Sequence, residues 1–283
     1  MRLIKPSVEI FEQGPEMQGI YNMIELCGKT SYKSPVKGGE DAEKFVSARM
    51  NEGHLAVLEF GTVYLKVPPV LNHLKYERNP YSKVNKQGKV YYVTTNYRVI
   101  IENGWEEDLK WRCEPTEYHY KRYTAKFITD RGVTHELVRH RVFSFCQEST
   151  RYCNYSKDKF GDELTIVIPP WCNLVEGNSY DMTVAKMCGE SEGISPQDQR
   201  FIAAMCFAEE IYMRHLNKGW TPQQARQVLP NALKTEICVC GFEDAWKHFF
   251  ELRYEGTTGK PHPSMLEVAT LCYNSFKEKG IQF

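Results

Sequence analysis

Three things are scarce in this 283-residue sequence, and each scarcity closes off a class of protein. Excess charge is the first: 36 Lys and Arg stand against 36 Asp and Glu, so no global field draws the chain to nucleic acid or to a membrane surface. Any anion site must be local. Long apolar runs are the second. None approaches the ~20 residues that a bilayer-spanning helix needs, and the opening MRLIKPSVEIFEQG lacks the apolar stretch of a signal peptide. A cytoplasmic protein without membrane or nucleic-acid partners is the expectation. Close-set cysteine pairs are the third: there are ten cysteines but no Cys-x-x-Cys. Zinc sites usually carry such pairs, and disulfide frameworks belong to small secreted chains. No metal is expected. Cys27, Cys113, Cys146, Cys153, Cys172, Cys188, Cys206, Cys238, Cys240 and Cys272 read as reduced, mostly buried thiols. A hydrophobic content of 42% with 25% charged residues suits an ordinary globular chain.

What is present is concentrated in one block, VTHELVRHRVFSFCQESTRYCNY, residues 133–155. It holds Arg139, His140, Arg141 and Arg151, with Gln147, Ser149 and Thr150 among them. Arginine carries a permanently charged fork of donors that matches phosphate and carboxylate oxygens two at a time. Val142, Phe143 and Phe145 interleave with the charges, so the block reads as part of a folded wall. Asp130 or Thr134 caps a helix expected to carry His135, Leu137, Val138 and both arginines of Arg-His-Arg. On such a helix Arg139 and Arg141 point about 200° apart, so one should face a ligand and the other a neighbouring subunit or a different part of an extended ligand. Ser149-Thr150-Arg151 offers successive amides and hydroxyls, the materials of an anion nest.

Along the rest of the chain, residues 3–10 alternate as a short strand, and residues 14–32 and 38–53 have helical spacing. Residues 57–66 read as a strand that Pro68-Pro69 ends. Residues 67–117 are polar and turn-rich but aromatic, with a strand over residues 90–94. Strands are expected at 118–128 and 164–168, a loop at 173–194, and a long helix from Pro196 to Lys218. Thr221-Pro222 starts a further helix, another carries Trp246, His248, Phe249, Leu252 and Arg253, and the last runs from Ser264 to Lys277.

Arg139-His140-Arg141, Ser144, Ser149 and Arg151-Tyr152 fall without gaps on a signature: RHR, two residues, Ser, one residue, Asn-Glu, one residue, Ser, one residue, Arg-Tyr. In this respect the chain resembles the flavin-dependent thymidylate synthases. Gly53-His54 with Glu59 resembles the family's Gly-His-x-Thr-x-x-Glu block, and Ala225-Arg226-Gln227-Val228-Leu229-Pro230 its Ala-Arg-x-Val-Leu-Pro block. The departures are Cys146 and Gln147 for Asn-Glu, Ala56 for Thr, Glu136 for a common Gln, and Phe242-Glu243-Asp244 for Asn-x-Arg.

The resemblance implies an α+β fold, a mixed sheet flanked by helices, in a single domain of residues 1–283 with residues 67–117 inserted. It also implies a homotetramer with sites between subunits. The reaction implied is reductive methylation of dUMP to dTMP, with methylenetetrahydrofolate as carbon donor and FAD reduced by NADPH. Cofactor binding falls to His54, Glu59, Arg139, His140, Arg141, Val142 and Cys146. Nucleotide binding falls to Glu136, Gln147, Ser149, Thr150, Arg151, Arg226 and Arg253. Arg253 stabilises charge developing on the uracil ring, and Ser149 assists by hydrogen bonding rather than as a nucleophile. For Cys146, packing is favoured over nucleophilic attack, since no general base is placed beside it. Two other readings remain open: a flavin enzyme making a different 5-modified uracil nucleotide, such as hydroxymethyl, and a single-stranded nucleic-acid binder that stacks bases on Tyr152 and Tyr155.

Overall fold

The computed structural model describes residues 1–69, 73–157, 160–183 and 193–283. Two short strands, β1 (Arg2–Ile4) and β2 (Ser7–Phe11), replace the single strand expected at the start. They split at Pro6 because they join different sheets. The next strands are β3 (Thr62–Val67), β4 (Lys83–Gln87), β5 (Val90–Asn96), β6 (Arg122–Asp130), β7 (Ser144–Gln147), β8 (Thr165–Val167) and β9 (Lys234–Phe242). The main sheet has the order β2-β6-β9-β7 and is antiparallel throughout. A second sheet is β3-β5-β4, also antiparallel. Among the described residues, parallel pairing is confined to β1 with β8. With helices covering the sheets, the fold is α+β.

Strand β9 explains how the core divides. Its side chains alternate across the sheet, and both faces are covered. Ile237 and Val239 join Trp246, Phe249 and Phe250 of the helix Glu243–Arg253 and Phe276 of the helix Pro263–Glu278. Cys238 and Cys240 face the other way, with Cys146, Cys27 and Met23, against the helix Glu16–Gly28. Cysteine acts there as a small hydrophobe that lets the helix lie close. Seven thiols are buried, and Cys113 and Cys172 are partly buried. Cys188 lies outside the described residues.

Most of the segment 67–117 is built into the fold. Strands β4 and β5 extend β3, and Asn96 caps the helix Tyr97–Glu102 through its side-chain oxygen, which accepts from Val99 N–H at 3.1 Å. Val93, Tyr97 and Ile100 share a core with Val63, Leu65, Ile20 and Ile24. This explains the segment's aromatic content.

Several local expectations need correction. Leu55–Phe60 winds into a 3-10 helix, and strand begins only at Thr62. The partner strand ends at Asn96, paired with Thr62, because Tyr97 turns into helix. Strand β6 starts at Arg122 rather than at 118, since buried His119 packs under β3 with Nε2 3.1 Å from the Leu65 carbonyl. The helix opened by Thr221 is only Pro222–Ala225, though its capping box with Gln224 is formed. The long helix spans Pro196–Asn217 and the last one Pro263–Glu278. Of the expected 173–194 loop, residues 184–192 are outside the described residues.

Candidate active site

Asp130 caps the helix Arg131–Leu137, its Oδ1 accepting from Val133 N–H at 2.8 Å. The helix stops there, with Val138 as its C-cap. Arg139 and Arg141 therefore do not share a helix, and the expected 200° divergence does not apply. A run of turns follows instead: Arg139 N–H donates to the Glu136 carbonyl, His140 N–H to Leu137 and Phe143 N–H to His140. The chain turns because His140 and Phe143 are drawn into the core while β7 pairs with β9. Arg139, Arg141 and Val142 are left on the surface, Val142 with 70% exposure.

Three of the expected site residues meet directly. Arg253 ends the helix Glu243–Arg253; its Nη1 donates to Glu136 Oε2 at 2.8 Å and its Nε to His140 Nε2 at 3.1 Å. A nitrogen that accepts a hydrogen bond carries no proton, so neutral His140 holds its proton on Nδ1. Burial pushes the imidazole down to about 4, helped by the charges of Arg253 and His248. The rings of Phe249 and Phe143 enclose it at 5.2 and 6.2 Å. Arg253 is thus held from two sides, and its Nη2 has no hydrogen bond among the described residues.

The Ser149 loop is more committed than a free anion nest. Ser149 N–H donates to the Ser31 carbonyl at 3.0 Å, and Arg151 N–H to Ser149 Oγ at 3.3 Å. Two of the three amides are occupied, so the loop presents hydroxyl and guanidinium groups more than backbone donors. Thr150 is buried. The Arg151 guanidinium lies 5.3 Å from the Tyr152 ring, which leans on Tyr32 at 4.8 Å. Gln147 Nε2 reaches Thr134 and Thr235 hydroxyls at 3.0 and 3.2 Å. Cys146 lies 3.0 Å from Ser31 Oγ, and burial pushes its thiol up to about 11, which suits packing.

The remaining candidates fall into separate places. His54 lines a cleft of about 450 Å³ with Tyr152, Tyr32, Phe45 and Arg49. Glu59 does not line it; its carboxylate is paired with Arg98 at 2.7 Å. Arg141 and Val142 line a second cleft of about 440 Å³, whose other walls include Tyr81, Phe242, Asp244 and His248. Arg226 is exposed on a single 3-10 turn. Among the described residues no contact joins it to Arg253 or to the Arg-His-Arg block.

One charged cluster escaped the sequence reading. Glu148 lies just past the end of β7, opposite Glu236 on β9, its N–H donating to the Glu236 carbonyl at 2.8 Å. Lys234 Nζ bridges their carboxylates at 2.8 and 2.7 Å; Lys126 holds the second oxygen of Glu236 at 2.7 Å, and Lys33 also pairs with Glu236. Tyr155 donates its hydroxyl to Glu148 at 2.9 Å. The only sequence signal was the Lys-x-Glu alternation on β9, and nothing local said where Glu148 would lie.

Comparison with known proteins adds four findings. The family model described as "Thymidylate synthase complementing protein" matches residues 119–279. The flavin-dependent thymidylate synthase of Corynebacterium diphtheriae is 33% identical over 156 residues, 53% of this chain and 54% of that protein. The enzyme of that name from Corynebacterium aurimucosum is 30% identical over 150 residues, 53% of this chain and 55% of that protein. The chain thus spans about half the length of the curated relatives it matches. The structure of the UMP/dUMP methylase PolB from Streptomyces cacaoi, bound with 5-Br dUMP, covers 98% of this chain and 93% of that one. It aligns at 15% identity with a TM-score of 0.45. His54, Glu59 and the segment 67–117 lie outside the matched span. That span is more than half of the chain and contains the Arg-His-Arg block, Arg226 and Arg253, so the chain belongs to the thymidylate synthase complementing protein family.

Proposed function

We propose that this protein is an FAD-dependent thymidylate synthase, converting dUMP to dTMP with methylenetetrahydrofolate as carbon donor and NADPH as reductant. The observation that carries the reading is the fixed guanidinium of Arg253, held by Glu136 and neutral His140 with one terminal nitrogen unengaged among the described residues. Carbon 5 of uracil becomes nucleophilic when negative charge on the ring is stabilised. A donor already locked in place does this without reorganising. Glu136 and His140 orient that donor. Arg151, at the tip of the Ser149 loop, takes the nucleotide phosphate, and Ser149 and Gln147 supply neutral hydrogen bonds. Arg226 holds the pyrimidine.

The donor set fits an anionic, ring-bearing cofactor. Arg139 and Arg141 have no acidic partner among the described residues, and exposed Val142 and Tyr81 offer flat apolar contact. On this reading Arg139, His140, Arg141, Val142 and Cys146 hold or back the flavin, and His54 approaches it from its own cleft, where Glu59 acts through Arg98 in the wall. FAD, when bound and reduced, supplies the hydride.

The chain acts as one domain with residues 67–117 as an insertion, and as a homotetramer in which separate clefts complete one another. With the helical divergence of Arg139 and Arg141 gone, the tetramer rests on family resemblance and on the dispersal of the candidate residues. A fully active monomer in light scattering would remove it. The reaction is tested by incubating the purified protein with dUMP, methylenetetrahydrofolate, NADPH and FAD and weighing the nucleotide product. A gain of one methyl group is expected. A hydroxymethyl product would move the reading to the other 5-modified nucleotide, and a protein that takes up no flavin would end it.

A further inference from the structure

The segment 67–117 carries into the Arg141 cleft a cation that no motif marks. Lys83 opens β4, the edge of the three-stranded sheet, and pairs with Thr94. Its Nζ lies 2.6 Å from Asp244 Oδ2, 4.7 Å from the centre of the Phe242 ring and 5.3 Å from that of Tyr120. Arg122 lies 5.6 Å from the same Phe242 ring, its guanidinium tied to Thr62 Oγ1 and the Glu59 carbonyl.

An isolated surface ion pair would deserve little weight. This one differs in its setting. The lysine side chain is only 28% exposed whereas its acid is 69% exposed, so the pair leans inward from the lysine side. It stands in the wall of a cleft of about 440 Å³, a size suited to a small-molecule site. Three cations, Lys83, Arg122 and Arg141, line that cleft against the single carboxylate of Asp244. Aromatic Tyr81 and Phe242 stand among them. Net positive charge with flat apolar rails matches a ligand that is anionic at one end and planar at the other.

We propose that Lys83 is a cofactor-holding residue, neutralising phosphate of FAD together with Arg141, and that Asp244 is its positioning residue. This rests on the flavin reading above and adds to it a residue from the segment outside the family match. Asp244 holds the ammonium at the cleft wall; Phe242 and Tyr120 limit where else it can swing.

The test is titration of flavin-free, full-length protein with FAD, read by quenching of flavin fluorescence, with circular dichroism to check folding. Lys83→Gln is expected to weaken binding roughly ten- to a hundredfold, as loss of a charge-assisted contact does. Lys83→Arg should stay close to wild type. Asp244→Asn should weaken binding less than Lys83→Gln, because charge remains and only its placement is lost. Wild-type affinity in Lys83→Gln beside lost affinity in Arg141→Ala overturns the role of Lys83 and leaves the cleft as the flavin site. Wild-type affinity in both overturns the flavin reading of the cleft. Should Lys83→Gln fail to fold, amine labelling of the wild-type protein decides. Bound FAD should protect Lys83 while exposed Lys89 and Lys110 react as before, and equal labelling of Lys83 with and without FAD overturns the proposal.

Discussion

Two sets of charges in this molecule are built from the same residue types and differ in what they leave over. In the Glu148–Lys234–Glu236 cluster the carboxylate side chains are 0% and 4% exposed, and all four oxygens are engaged by lysines or Tyr155. In the Glu136–Arg253–His140 group the side chains of Arg253 and Glu136 are partly open, and Arg253 keeps a terminal nitrogen unengaged among the described residues. Buried charges that satisfy one another hold strands in register. Charges that stay partly unsatisfied at a surface are available to a ligand. The first set should govern stability and the second turnover.

The largest effect should come from breaking the closed set. Lys234→Ala leaves two buried carboxylates short of their bridge and should cost ~3–5 kcal/mol of stability in urea melts, as removal of one partner of a buried pair does. Arg253→Ala should cost far less in the same melts. If the order of the two were reversed, the contrast between the clusters would fail.

On activity the order inverts. Arg253→Ala should still bind nucleotide but lose turnover by roughly a hundred- to a thousandfold, the ~2.7–4 kcal/mol typical of one such donor. Arg253→Lys should recover little, because it keeps charge without the planar fork. Steady-state kinetics at saturating dUMP beside equilibrium binding makes the measurement. Near-normal turnover in Arg253→Ala would remove the residue from the chemistry.

Acid should separate the sets by window. Burial pushes the Glu236 carboxyl up, but Lys234, Lys126 and Lys33 outweigh it and hold it at about 2 against an ordinary 4.5. Its folded value is depressed, so its contribution is present above about pH 4.5 and is lost as pH falls from there toward 2. His140 titrates at about 4 when folded against an ordinary 6.5. The unfolded chain takes that proton first, so stability falls as pH drops through 6.5 toward 4. Glu236→Gln should flatten the lower part of the melt-versus-pH curve and His140→Gln the upper part. By NMR, the His140 midpoint should rise in Arg253→Ala; an unchanged midpoint would mean that the guanidinium does not act on the ring.

The smallest effect is expected at Arg151, which is exposed. Arg151→Ala should raise KM for dUMP roughly tenfold with kcat little changed, the mark of a contact equal in ground and transition states. A fall in kcat at saturation would place Arg151 in the chemistry instead.

Local patterns in the sequence determined much. The apolar spacing of residues 14–32 and of the stretches from Pro196 and from Ser264 marks helices there, Asp130 caps the helix that follows it, and the scattered cysteines read as mostly buried thiols. The Arg-His-Arg signature and the Ala225–Pro230 block were legible because a ligand's chemistry constrains residue type and order. Tertiary structure alone decided the rest. Helical spacing predicts that the helix runs on through Arg141, yet it ends at Leu137 because burying His140 and Phe143 beside β9 outweighs continuing it. Residues 57–60 belong to the expected strand, yet Leu55–Phe60 has no strand to pair with among the described residues. Glu148 meets Lys234 through the pairing of β7 with β9, and Lys83 on β4 meets Asp244 of the helix Glu243–Arg253 only in the folded chain. Charges carry no periodic signal of their partners, and their pairing is written in contacts between residues far apart in the chain.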